Sequence, residues 1–368
     1  MKKVMVIFGT RPEAIKMCPV VKELKKHADE MQTVVCVTGQ HREMLQQVLQ
    51  SFSVVPDYDL AVMKPGQTLF DITTAILQGM KTILEKEKPD LVLVHGDTST
   101  AFAAALAAFY MDIPVGHVEA GLRTWDIHAP YPEEFNRQAV GSIAALHFSP
   151  TEAAADNLRR EKKDPSAIFV TGNTSIDALA TTVREDYQHP VLRELAGRRL
   201  VLLTAHRREN LGEPLHQIFR GIRRVLELHP EVSVVYPVHL NPAVRKAAEE
   251  ELGDSSQVRL IEPLDVIDFH NFMSRAELIL TDSGGIQEEA PALGKPVLVL
   301  RDTTERPEGA EAGTLRLVGT EEEAVYSAFR TLLEDRAAYE QMAQASNPYG
   351  DGTASVKIVK ILRTYFQK

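Results

Sequence analysis

Two carboxylates stand beside glycines at the ends of short apolar runs: Asp97 in His95-Gly96-Asp97-Thr98 and Glu119 in His117-Val118-Glu119-Ala120-Gly121. Acidic groups held on rigid elements can move protons, although the same groups also serve as helix caps. A further acidic pair, Glu133-Glu134, follows Ala129-Pro130-Tyr131-Pro132, with Arg137 one helical turn on. Upstream, Gly9-Thr10-Arg11-Pro12-Glu13-Ala14-Ile15-Lys16 turns an apolar run into a helix. Gly9 permits the sharp turn, and Pro12 sits where its missing N–H costs nothing. The free N–H groups of that helix start, with Arg11 and Lys16 nearby, suit an anionic ligand. The spacing is neither that of a P-loop nor that of a dinucleotide fingerprint.

The second half carries a matching set. Thr204-Ala205-His206-Arg207-Arg208 places a histidine and two arginines after an apolar run, a combination suited to clamping phosphate. His239 follows the next run. Thr281-Asp282-Ser283-Gly284-Gly285 opens a helix, where Ser283, Gly284 and Gly285 offer backbone donors and a hydroxyl to phosphate oxygens. Glu289 lies one turn further in, where a carboxylate can accept both hydroxyls of a ribose, and Arg301-Asp302-Thr303-Thr304-Glu305-Arg306 follows the last run. Each is compatible with an ordinary turn; together they describe a nucleotide site.

Such loops need strands to hold them. Apolar runs at Val4–Phe8, Thr33–Thr38, Leu91–His95, Val115–Val118, Ala145–Phe148 and Ile168–Thr171 alternate with helical patterns. Between Phe70 and Glu87, Ile72, Ile76, Met80, Ile83 and Leu84 recur at three- and four-residue steps, one face of a helix. Strands that are apolar throughout and separated by helices predict a parallel sheet covered on both faces. After the charged stretch Asp186–Arg199 the pattern restarts at Leu200–Thr204, Val232–Val238, Val258–Ile261, Leu278–Thr281 and Val297–Leu300. Thr320-Glu321-Glu322-Glu323 reads as a capping box opening a late helix, and the turn cluster Asn347–Gly352 precedes a last helix, Thr353–Phe366. The expected organisation is a Rossmann-like domain over 1–174, joined by a returning C-terminal helix at 353–368, and a second over 175–352. Two doubly wound sheets facing one another would gather their strand-end loops around a central cleft.

Composition agrees and excludes alternatives. The 368 residues correspond to about two domains. With 44% hydrophobic and 25% charged residues, the chain is neither disordered nor of low complexity. Lys and Arg total 41 against 51 Asp and Glu, a net −10 that argues against bulk nucleic-acid or anionic-membrane binding. Cys18 and Cys36 are too few for a disulfide framework and are read as buried thiols. No stretch approaches the roughly 20 apolar residues of a membrane span, and the N-terminus lacks a signal-peptide core, so a cytoplasmic protein is expected. HExxH, a Cys/His ligand cluster and a Gly-x-Ser-x-Gly elbow are all missing, so no metal or other cofactor is expected.

These motifs, with the Asn347–Gly352 cluster, resemble the non-hydrolysing bacterial UDP-N-acetylglucosamine 2-epimerases over essentially the whole chain. The resemblance implies the GT-B fold and reversible epimerisation at C2 of UDP-N-acetylglucosamine to UDP-N-acetylmannosamine, through elimination of UDP to 2-acetamidoglucal and re-addition. It places Asp97, Glu119 and Glu133 around the sugar, and Arg11, Lys16, His206 and Arg306 at phosphate oxygens. His206 joins the three carboxylates as a catalytic candidate. Phe269 would border the uracil, Ser283, Gly284 and Gly285 hold phosphate, and Glu289 hold the ribose. Leu264 stands where many members carry glutamine, which leaves a backbone group to hold the base. Gln40, Gln67, Arg207 and His239 match a second site at which UDP-N-acetylglucosamine activates some members. A homodimer is also implied. A GT-B glycosyltransferase using a UDP-sugar, a non-catalytic UDP-sugar sensor and a hydrolysing relative share much of this pattern. The three carboxylates favour the epimerase over the first of these.

Overall fold

The computed structural model describes residues 1–39, 42–64, 66–304 and 306–367, with only the backbone described at 42–44. The chain divides into two compact units, 1–180 with 349–368, and 181–348. The first contains a seven-stranded sheet: β1 (Lys2–Phe8), β2 (Met31–Val37), β3 (Tyr58–Asp59), β4 (Leu91–His95), β5 (Val115–Val118), β6 (Leu146–Ser149) and β7 (Ile168–Val170). Its order is β3-β2-β1-β4-β5-β6-β7, every pair parallel. The second contains six strands: β8 (Arg199–Thr204), β9 (Val232–Pro237), β10 (Val258–Ile261), β11 (Leu278–Thr281), β12 (Val297–Val299) and β13 (Leu315–Leu317). These run β10-β9-β8-β11-β12-β13, again all parallel. In both sheets the order reverses beside the first strand, between β1 and β4 and between β8 and β11. Ligands of open α/β sheets bind outside the carboxyl ends of strands at such a switch point.

Burial explains the parallel arrangement. The central strands β1, β4, β8 and β11 are covered on both faces by helices, so their apolar runs do not alternate with polar residues. The helix Leu69–Glu87 buries Ile72, Ile76, Met80, Ile83 and Leu84, the predicted stripe, against the core around Met5, Ile7, Val92 and Val94. The second unit has its own core, with Phe219, Ile222 and Val225 of the helix Glu213–Leu228 packed among Val201, Leu203 and Val234. Cys18 and Cys36 are buried free thiols, both pushed up to about 12 by burial.

Three sequence expectations need correction. β3 and β13, of two and three residues, escaped notice because neither is long enough to form an apolar run. The late helix spans Glu322–Glu334 with Glu321 at its cap position and no side-chain cap, so the capping box at Thr320 does not form. Glu323, the acid such a box needs, is instead ion-paired to Arg224. The division between the units falls at 180/181 and 348/349, rather than at 174/175 and 352/353. The helix Thr174–Thr182 runs across the earlier boundary, and its Asp177 carboxylate accepts the backbone N–H groups of Ala354 and Ser355.

Candidate active site

In the first unit, the loop after β1 is shaped by crowding. A Cβ on Gly9 would lie 2.0 Å from Thr38 Oγ1 and 2.4 Å from Thr100 Oγ1, so only glycine fits. Thr10 caps the helix Arg11–Lys26 in a capping box with Glu13. The buried Glu13 carboxylate does more than complete the box: it accepts Gly9 N–H at 3.0 Å, Thr10 N–H at 2.8 Å and the Thr98 hydroxyl at 2.7 Å. It thereby joins the loop after β1 to the loop after β4 across the switch point. Burial raises its carboxyl above the ordinary range, against those hydrogen bonds.

Glu119 is the hub of this edge. Its backbone is left-handed, φ +62°, a conformation unusual for a residue with a side chain. Such residues cluster at functional sites. Its carboxylate is ion-paired to Lys16, receives Asn173 Nδ2 at 3.4 Å, and lies 3.6 Å from His95 Nε2. Asp97, at the end of the neighbouring strand, accepts Arg137 NH2 at 2.5 Å, while its carbonyl accepts Asn136 Nδ2 at 2.9 Å. Burial pushes the Asp97 carboxyl up; Arg137 opposes this, and the Glu119 charge reinforces it. Two neighbouring carboxylates in such different environments, one raised by burial and one paired to a lysine, are an arrangement able to divide acid and base roles.

Behind them lie three buried histidines on adjacent strands. His117 donates Nε2–H to the Gly96 carbonyl at 2.7 Å and so props the Gly96-Asp97 turn. Burial holds His95 at about 4, His117 at about 3 and His147 at about 4, so all three are neutral near pH 7. Of the other predicted residues, Arg11 and Glu133 are half-buried, and their side chains form no hydrogen bond or ion pair among the described residues. Glu134, not Glu133, is the one that reaches Arg137, at 3.3 Å, and it also accepts the Thr124 and Trp125 N–H groups. Gln67 is occupied locally, accepting Lys64 N–H at 2.5 Å and donating to the Val62 carbonyl at 2.8 Å. Gln40 lies outside the described residues.

In the second unit, Asp282 organises the loop after β8. Fully buried, it accepts His206 N–H at 2.6 Å, Arg207 N–H at 2.8 Å and Asn210 Nδ2 at 3.2 Å. Tyr236 Oη donates to the Ala205 carbonyl at 2.5 Å from behind. The His206 ring stacks on His239, centroids 5.1 Å apart and planes within 5°. Burial pulls His206 below the ordinary histidine value, partly offset by Asp282 and reinforced by His239 and Arg207.

The helix Gly284–Glu289 begins at Ser283, whose hydroxyl does not cap it. Guanidinium nitrogens of Arg207 and Arg306 both come within 4 Å of a Cβ built on Gly284, at 3.8 and 3.9 Å. Two cations thus flank a bare, glycine-lined helix start, a fitting cradle for a diphosphate. Arg306 is held by an ion pair to Glu288, and its N–H donates to Thr304 Oγ1, which in turn donates to Gln287 Oε1. Glu289 lies 3.5 Å from His270 Nε2, and Phe269, half-buried, precedes that histidine on the helix Val266–Arg275.

Sequence reasoning passed over Glu13, Asn173, Asp282 and His270. Thr10-Arg11-Pro12-Glu13 carries a capping-box signature that would have singled out Glu13. The other three act through partners remote in sequence. No group of three or more His, Cys, Asp or Glu among the described residues is arranged to hold a metal ion.

Two Rossmann-like parallel sheets in one chain, with polar clusters at the carboxyl ends of their strands, define a GT-B protein of the nucleotide-sugar class. Residues 22–363 match the family described as UDP-N-acetylglucosamine 2-epimerase, and the chain belongs to that family. It is 60% identical over 364 residues to the UDP-N-acetylglucosamine 2-epimerase of Bacillus subtilis (strain 168), covering 99% of this chain and 96% of the relative. The UDP-GlcNAc 2-epimerase of Neisseria meningitidis, solved bound to UDP-GlcNAc, is 50% identical with a TM-score of 0.86, covering 98% of this chain and 99% of that one. The S. aureus MnaA–UDP co-structure, also 50% identical, has a TM-score of 0.89 and covers 100% of this chain and 97% of that one.

Proposed function

We propose that this protein interconverts UDP-N-acetylglucosamine and UDP-N-acetylmannosamine by inverting C2 of the sugar. Beyond family membership, the reading is carried by the pairing of Asp97 and Glu119 at adjacent strand ends, one carboxyl raised by burial and the other tied to Lys16. The C2 proton has no carbonyl beside it, so direct abstraction is very slow. Breaking the C1–O bond first creates an oxocarbenium-like centre whose C2 proton a carboxylate can remove. UDP departs, 2-acetamidoglucal remains, and re-addition with the proton delivered to the opposite face completes the inversion. Asp97, Glu119 and Glu133 are assigned to proton transfer, with His206 as the fourth catalytic group. Negative charge grows on the leaving diphosphate, and cations there lower the barrier by binding the transition state more tightly than the ground state. Arg11, Lys16, His206 and Arg306 take this role, with Ser283, Gly284 and Gly285 completing the phosphate contacts. Phe269 borders the uracil, and Glu289 accepts the ribose hydroxyls. No bound metal or organic cofactor enters these steps.

UDP-N-acetylglucosamine is assigned a second role as activator, through Gln40, Gln67, Arg207 and His239. The polarity of these residues and the placement of Arg207 beside Gly284 support it. The active form is proposed to be a cytoplasmic homodimer. Exposed Phe70, Phe109 and Tyr110 on the helices Leu69–Glu87 and Ser99–Tyr110 support self-association, and no helix among the described residues is long and apolar enough to cross a membrane.

Incubation with UDP-N-acetylglucosamine in deuterated water, without any acceptor, tests the chemistry by NMR. The expected result is the manno epimer carrying deuterium at C2. Binding without exchange would indicate a sensor, and release of free N-acetylmannosamine a hydrolase; either result overturns the proposal. Hyperbolic kinetics from UDP-N-acetylmannosamine, unchanged by added UDP-N-acetylglucosamine, would remove the activator role.

A further inference from the structure

His270 is buried, and its two ring nitrogens face different partners. Nδ1 is 2.7 Å from the hydroxyl of Thr182, and Nε2 is 3.5 Å from Glu289 Oε2. Thr182 is itself fully buried at the end of the helix Thr174–Thr182. A neutral imidazole carries one proton, and the hydrogen bond at one nitrogen decides which nitrogen has it. With Thr182 donating to Nδ1, the proton sits on Nε2 and its positive end points at the Glu289 carboxylate. The opposite tautomer would turn a lone pair toward that negative charge. A carboxylate only accepts, so Glu289 favours the Nε2–H form; the Thr182 hydroxyl, able to donate or accept, then donates to Nδ1 and holds the ring in place.

The neighbouring residues leave Glu289 as the available acid of this helix. Glu288 is ion-paired to Arg306, and its carbonyl accepts Asn347 Nδ2 at 3.2 Å. Thr182 and Asn347 each lie within two residues of a point where the chain passes between compact units. The Glu288-Glu289 segment is thus anchored at both residues to ordered parts of the second unit, while the Glu289 side chain keeps some exposure, 14%. A carboxylate accepting two vicinal hydroxyls must turn both oxygens toward the diol, and a partner fixed behind one oxygen restricts its rotation.

We propose that His270, set by Thr182, is a positioning residue that aims Glu289 at the ribose diol and so determines selectivity for ribonucleotides over 2′-deoxyribonucleotides. This rests on the assignment of Glu289 to the ribose and extends it to a residue that touches no substrate.

The test is the ratio of dissociation constants for 2′-deoxy-UDP and UDP, measured by titration calorimetry on the full chain. A hydroxyl hydrogen-bonded to a carboxylate is worth about 10- to 100-fold in affinity, so the unmodified protein should show a ratio in that range. Glu289→Gln should bring the ratio to within about threefold of unity. His270→Phe, which keeps the ring volume, should do nearly the same, and Thr182→Val should lower the ratio part of the way. A merely structural histidine would weaken both nucleotides equally and leave the ratio untouched, which overturns the proposal. If His270→Phe does not fold, an unchanged ratio in Thr182→Val overturns it as well. Should Glu289→Gln itself leave the ratio unchanged, or UDP not bind, the ribose assignment fails first and the proposal with it. Collapse in Glu289→Gln with retention in His270→Phe removes the His270 proposal alone.

Discussion

Asp282 grips His206 from two directions: its Oδ2 accepts the His206 backbone N–H at 2.6 Å, and its Oδ1 lies 3.4 Å from the ring Nδ1. One buried carboxylate thus fixes where the histidine backbone sits and biases which ring nitrogen holds a proton. Asp282→Asn keeps the shape but turns an amide N–H toward Nδ1, favouring the opposite tautomer. It also removes a charge that raises the His206 pKa, so that value should fall further below the ordinary histidine range. Turnover is expected to drop about 10- to 100-fold, the usual cost of losing a group that orients a functional histidine. Nucleotide affinity should change far less. A kinetic comparison with imidazole NMR titration checks both; unchanged turnover with a shifted histidine would separate His206 from the chemistry.

Glu13 plays the corresponding part in the first unit, and its burial gives a different prediction. Its three donors, Gly9 N–H, Thr10 N–H and the Thr98 hydroxyl, can all be accommodated by glutamine. The amide oxygen would accept the two backbone groups, and the amide nitrogen would donate to Thr98 Oγ1. Because burial already disfavours the charged form of Glu13, Glu13→Gln should match or exceed the parent stability at neutral pH. Glu13→Ala leaves buried N–H groups without acceptors and should cost about 1–3 kcal/mol. Urea unfolding of the two variants decides; equal losses would mean that hydrogen bonding at this position is not what matters.

The contrast between these residues shows where sequence reading succeeds. Leu69–Glu87 was legible because Ile72, Ile76, Met80, Ile83 and Leu84 must all face one core, and a 3.6-residue period leaves that mark in the chain. The strand-end loops were legible for the same reason: apolar runs locate the sheet, and the chain just beyond each run is where polar chemistry collects. Two carboxylates with similar local surroundings nevertheless had different fates. The Thr10–Glu13 box forms, whereas Glu323 is ion-paired to Arg224 and no box forms at Thr320. Its competitor lies 99 positions away, beyond any local rule. The links of Asn173 to Glu119, Asp282 to His206 and His270 to Thr182 likewise span 54, 76 and 88 positions. Sheet assembly and helix packing create these contacts, and no spacing in a single sequence announces them.

Acid should weaken the first unit through its buried histidines. His147 is held at about 4, below the ordinary 6.5, so the unfolded chain binds a proton in the window between those values and the folded chain does not. Stability is therefore full above about pH 6.5 and is lost as pH falls toward 4. From pH 7 to pH 5 this histidine alone should remove about 2 kcal/mol. Glu13, Asp97 and Asp177 are raised by burial and work in the opposite sense, since their folded forms gain protons first. Comparing the protein with His147→Gln cancels those carboxylates: the variant should lose about 2 kcal/mol less between the two pH values. Equal losses in urea midpoint experiments would show that His147 is not kept neutral.

The Lys16–Glu119 pair offers the most direct test of the proton-transfer assignment. Glu119 is fixed by its left-handed backbone, by Lys16 and by Asn173, so Glu119→Gln should preserve the fold while removing the base. General-base removal costs about 100- to 10,000-fold in turnover, and deuterium incorporation at C2 should fall in parallel, with KM moving only a few-fold. Lys16→Met leaves the Glu119 carboxylate without its cation and should also slow turnover strongly. Because the two residues are in contact, their effects should not add: the double variant should be scarcely slower than Glu119→Gln. Strict additivity would mean that Lys16 acts on the diphosphate independently of Glu119. Near-normal C2 exchange in Glu119→Gln would move the proton-transfer role to Asp97 or Glu133, and Asp97→Asn, measured by the same exchange, distinguishes between those two.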